Sequence, residues 1–60
     1  MTSEDVRVLE AMAKFGGSFV RALACAAAAA DAENLAKIKA TWPDYWTKYR
    51  VISADDKEQR

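Results

Sequence analysis

The sequence contains no histidine, so it lacks the side chain that most often transfers protons near neutral pH and most often ligates zinc. Its single cysteine, Cys25, cannot close an internal disulfide, and no zinc set can be built without a second thiol or an imidazole. Cys25 lies in an alanine tract, where a thiol behaves as a small hydrophobe, and this agrees with a reducing compartment. An excess of charge of either sign is also missing. Nine basic and nine acidic residues cancel, which argues against a nonspecific nucleic-acid coat and against duplex nucleic acid as a partner. The longest uncharged run, Ala22 to Ala30, is far shorter than the roughly 20 residues that span a bilayer. No basic segment with a cleavage site precedes it, so the expectation is a soluble intracellular protein without a membrane partner. Catalytic machinery is equally sparse. Ser18 has no evident base, and the paired glycines alone make neither a phosphate loop nor a dinucleotide fingerprint. Asp31, Glu33 and Asp44 could hold a cation, but positions at helix starts already account for them.

What the chain has is helix-forming sequence in a very small package. A chain of 60 residues buries only about 60% of the surface that its unfolded form exposes. Much of its 52% hydrophobic content is alanine, which adds little buried area per residue. With no disulfide or metal available, self-association is the remaining remedy, and the expectation is a homodimer or higher homo-oligomer.

Thr2 and Ser3 are good N-cap types, and Glu4 and Asp5 suit the positive end of a helix dipole, so a helix starts near residue 3 or 4. From there Val8, Met12, Phe15, Phe19, Ala22, Ala26 and Ala29 step by fours and threes without losing phase across Gly16 and Gly17. This phase predicts one long helix kinked at the glycines. The alternative is a break, with the glycines ending one helix and Ser18 capping the next. Asp31 is placed to cap a second helix of about 32 to 41. Pro43 ends that helix at Trp42 and can open a short third helix, "PDYWTKYRVI". The closing "SADDKEQR" shows no periodicity. The expected organisation is an all-α domain of two to three helices over 1–52, with a frayed polar tail at 53–60.

Two sets of residues stand out for function. On a continuous first helix Arg7, Lys14 and Arg21 recur at sevens with Ser18 among them, a basic stripe able to meet phosphates; a break after Gly17 would scatter it. "TWPDYWTKY" gathers all the tryptophan and tyrosine beside Lys37, Lys39, Lys48 and Arg50, as a stacked base with its phosphate would require. Trp42 and Trp46 are expected in the core, whereas the polar tip of Tyr45 or Tyr49 suits a ligand or an interface. A nearly side-chain-free strip, Ala13, Gly17, Ala24 and Ala28, with Phe15 and Phe19 on the apolar side, is the expected contact between paired chains.

The stretch from Phe15 to Tyr49 resembles short, mostly unassigned open reading frames of bacteriophages and prophages. The shared elements are Phe15 to Val20, Ala30 with Asp31, Asn34 to Lys37, and Pro43 to Tyr49. The resemblance implies a mobile-element setting in the cytoplasm of a bacterial host, where tiny non-enzymatic proteins counter host defence. It brings no assigned chemistry and no cofactor. Within it, the residues suggest stoichiometric sequestration of an anionic, cyclic nucleotide by Arg7, Lys14, Ser18, Arg21, Tyr45 and Tyr49. The rival readings are an anti-CRISPR-like inhibitor that binds a host protein and a structural assembly module.

Overall fold

The computed structural model describes the backbone of residues 1–58 and the side chains of residues 1–54. Four helices follow one another: α1 (Ser3–Phe15), α2 (Ser18–Ala29), α3 (Ala32–Thr41) and α4 (Pro43–Glu58). No strand occurs among the described residues. α1 lies between α2 and α4 and packs against both, while α3 bridges from the end of α2 to the start of α4.

The starts of α1, α3 and α4 are fixed by local chemistry, whereas α2 starts at Gly17 without a side-chain cap. Thr2 caps α1: its Oγ1 accepts from the Asp5 N–H at 3.0 Å, and the Asp5 carboxylate accepts from the Thr2 N–H at 3.2 Å. This reciprocal box satisfies two backbone donors that the first turn leaves without helical partners. Asp31 caps α3 by accepting from the Asn34 N–H at 2.9 Å. Trp42 leaves helical geometry ahead of Pro43, and Pro43 takes the first position of α4, where its missing N–H costs nothing.

The single long helix expected from the unbroken phase is not formed. α1 closes with the Gly16 N–H on the Met12 carbonyl; Gly16 and Gly17 are then both extended, and the Gly17 carbonyl starts α2 by accepting from Arg21. Burial explains the break. A continuous helix from Ser3 to Ala29 would be about 40 Å long, longer than the 33 Å major axis of the molecule. Its apolar stripe would have little of its own chain to cover it. The two-residue connection instead turns α2 back, so that each helix covers the apolar face of the other.

The glycines also exchange roles relative to the sequence expectation, which gave close packing to Gly17. Neither has a positive φ. A Cβ on Gly16 would lie 2.5 Å from the Met12 carbonyl oxygen and 2.5 Å from Val20 Cγ1, so Gly16 is the residue at which close approach requires glycine. A Cβ on Gly17 would meet nothing within 4 Å.

The core centres on Val8 and Met12, both fully buried, with Leu9, Val20, Leu23, Leu35, Trp46 and Tyr49 around them. Trp46 is buried as expected, and Trp42 only partly. Phe15 and Phe19 depart from their place on the expected apolar stripe: they are 48% and 56% exposed, because the hairpin turns the shared face inward without them. The last helix also runs further than expected, past Ile52 to Glu58. Nothing in this stretch is a glycine or proline, and Ser53 and Ala54 line a cleft against α1, so tertiary packing carries the helix on. Of the polar tail expected at 53–60, residues 59 and 60 lie outside the described residues.

Candidate functional site

α1 has a concavity on each flank. Toward α2 lies an apolar groove of about 440 Å3, with Val6, Leu9 and Ala13 on one wall and Ala24, Cys25 and Ala28 on the other; Met1 and Glu10 complete it. On α1 the positions 6, 9, 10 and 13 recur at threes and fours, as do 24, 25 and 28 on α2, so each wall is one stripe of a helix. Because Ala24 and Ala28 end at Cβ, the seam stays shallow and open above the core.

Toward α4 lies a smaller cleft of about 180 Å3, lined by Glu4, Arg7 and Val8 of α1 and by Arg50, Ser53 and Ala54 of α4. Here too the positions repeat, at i, i+3 and i+4 on both helices. The floor is the fully buried Val8, and the two arginines are exposed residues facing the same space.

A third feature ties α3 to the rest. Lys39 Nζ lies 2.8 Å from Asp5 Oδ1 and 5.4 Å from the centre of the Trp46 ring, so one ammonium joins α3 to α1 and α4. Asp5 is 3% exposed. Burial alone would raise its pKa, but the Lys39 ammonium and the hydrogen bonds at Thr2 outweigh it and hold the carboxyl down at about 2. The Trp46 indole N–H, by contrast, is buried without a hydrogen-bond partner.

The residues expected to form one anion site are not brought together. Arg7 faces the α4 cleft, Lys14 stands over the Phe15 ring at 5.1 Å, and Ser18 and Arg21 belong to α2. The helix break is the reason, since the stripe at sevens needs a single helical axis. Tyr49 is 5% exposed and cannot serve a ligand at the surface. Tyr45 is half-buried, 6.3 Å from the Phe19 ring centre, and Phe19 also meets Trp42 edge-on at 5.9 Å. The aromatics therefore pack on one another across α2 and α4 rather than around a base-sized opening. Of the expected interface strip, Ala13, Ala24 and Ala28 do share the α1/α2 groove, while Gly17 sits apart at the hairpin tip.

Sequence reasoning passed over Arg50 as the partner of Arg7, and Asp5 as the partner of Lys39. The first could have been found from the matching spacing of Glu4, Arg7, Val8 and Arg50, Ser53, Ala54. The second joins residues far apart in the chain and leaves no periodic signal. Among the described residues no group of three histidine, cysteine, aspartate or glutamate side chains could hold a metal ion. Among the described residues no helix is long and apolar enough to cross a membrane. The chain matches no protein-family model, no curated protein and no solved structure.

Proposed function

We propose that the chain is a non-enzymatic assembly module that pairs with a second copy of itself through the α1/α2 groove. The observation that carries this reading is the meeting of Ala13, Ala24 and Ala28 in one apolar concavity flanked by the exposed Met1 and Val6. A second copy suits the groove in shape. α2 carries one charge, Arg21, in twelve residues and exposes Ala22, Ala26 and Ala29 beside the groove, a low ridge of small side chains. In a two-fold pair the ridge of each copy enters the groove of the other, and one patch serves both purposes.

Charge suits it as well. Glu10 lies on the α1 wall, and Arg21, one turn before Cys25 on α2, is an exposed residue on the helix that forms the other wall. Two-fold symmetry sets the acid of one copy against the base of the other, twice. A standard interface takes about 800 Å2 from each partner, about a fifth of the 4156 Å2 surface of this chain. That area requires Met1 and Val6 to be covered together with the groove. The resemblance to phage reading frames remains the basis for placing such a module in a counter-defence setting. The cyclic-nucleotide reading loses its support with the scattering of Arg7, Lys14 and Arg21.

Sedimentation equilibrium tests the pairing. The wild type is expected to run as a dimer, and Ala28→Glu to run as a monomer with unchanged helical circular dichroism. Glu10→Arg and Arg21→Glu should each weaken the dimer, and the double exchange should restore it. A wild type that stays monomeric at every concentration refutes self-pairing. A host protein bound at the same groove would make the inhibitor reading the correct one.

A further inference from the structure

The α1/α4 cleft is lined by two arginines, and among the described residues no carboxylate forms an ion pair with either. Arg7 and Arg50 reach it from different helices, and among the described residues neither forms an ion pair or a hydrogen bond. Among the described residues of the lining Glu4 is the one acid against two arginines, so positive charge predominates among them. Two like charges facing one concavity repel each other, and a bound anion would turn that repulsion into attraction. The floor at Val8 is apolar and fully buried, and hydrogen bonds made over it are less screened than on open surface.

We propose that this cleft is a phosphate-binding site, taking inorganic phosphate or the terminal phosphate of a small monoester. Arginine presents a planar fork of donors that matches phosphate oxygens two at a time, and two forks from different helices can hold a tetrahedral anion from two sides. Ser53 adds a hydroxyl donor at the same rim. Size sets the limit on the ligand. The cleft, at about 180 Å3, is smaller than the roughly 300 to 1,000 Å3 of pockets that enclose a whole small molecule. It therefore seats one phosphate group and leaves the remainder of a monoester in solvent. Glu4 has a selective part: it repels a second negative charge and can accept from a protonated phosphate oxygen or a neighbouring ligand hydroxyl.

Nitrogen-resolved NMR of the arginine side chains tests this, with inorganic phosphate as the probe and adenosine monophosphate in a parallel arm, both at constant ionic strength. Saturable shifts are expected at the Nε–H of Arg7 and Arg50, with Arg21 unmoved. Arg7→Gln and Arg50→Gln should each weaken binding by about tenfold or more, the usual effect of losing a charged hydrogen-bonding partner. Arg50→Lys, which keeps the charge but loses the fork, should fall between, and Glu4→Gln should tighten binding severalfold. Tighter binding of the nucleotide than of phosphate identifies a monoester as the ligand, and equal affinity identifies the phosphate group alone. Shifts that never saturate, that chloride reproduces, or that persist at full affinity in Arg7→Gln overturn the site. Glutamine is a good helix former at these exposed positions, and circular dichroism of each variant separates lost binding from lost fold.

Discussion

α2 and α4 both pack against α1, and they do so by opposite means. α2 brings Val20, Leu23, Ala24 and Ala27 to the core, mostly small groups, with Gly16 clearing the way at the turn. α4 brings Trp46 and Tyr49, large rings that fill space with few side chains. Small groups give little buried area, and they leave an open groove above the seam. Large rings close the core, and they carry polar atoms into it, among them the indole N–H of Trp46, which finds no acceptor. Each flank of the central helix therefore keeps an opening, a wider apolar groove toward α2 and a smaller polar cleft toward α4.

The comparison can be broken at its hinge, α1. Met12→Ala removes the largest fully buried side chain, which both neighbours depend on. The expected loss is about 2 to 5 kcal/mol, comparable with the whole stability of about 3 to 5 kcal/mol available to a core of this size. Urea denaturation should find the variant unfolded or nearly so.

Acid attacks the side that α3 braces. The pKa of Asp5 is lowered from 3.8 to about 2 in the folded state, so below about pH 4 the unfolded chain binds the proton that the folded chain refuses. Stability from this group is complete above about pH 4 and falls away as pH drops toward 2, by about 2 kcal/mol in total. Denaturation midpoints measured from pH 5 to pH 2 should show this fall, and Asp5→Asn should flatten it.

The glycine pair sharpens the comparison on the α2 side. Gly16→Ala forces a methyl against the Met12 carbonyl and Val20 and should cost about 1 to 3 kcal/mol. Gly17→Ser should act in the other direction: α2 has no side-chain cap, there is room for the Cβ, and a serine hydroxyl can accept from the first turn. The expected gain is about 0.5 to 1 kcal/mol, read as a higher melting temperature.

These residues also show where the sequence was legible. Helix starts are written in short-range chemistry, and Thr2, Asp31 and Pro43 mark them correctly. The break at Gly16 and Gly17 is hidden from periodicity, because in an alanine-rich α2 almost any phase reads as apolar: the stripe expected through Phe19, Ala22, Ala26 and Ala29 is exposed, and the buried face is Val20, Leu23, Ala24 and Ala27. Ser18, a good start for a helix straight after the glycines, was the local signal for the break. Ala13, Ala24 and Ala28 could be grouped from spacing, since a hairpin brings the two halves of a continuous stripe face to face. Arg7 could be named as a cation of interest, but its neighbour Arg50 arrives only with the docking of α4. Lys39 and Asp5 meet for the same reason.

That last contact also bears on the order in which the molecule forms. Its two residues lie far apart in the chain, whereas the helices and the α1/α2 hairpin rest on neighbours and can form within microseconds. The ammonium and the carboxylate can meet only after α3 and α4 have docked. A bond made that late governs how slowly the protein opens, and has little say in how quickly it folds.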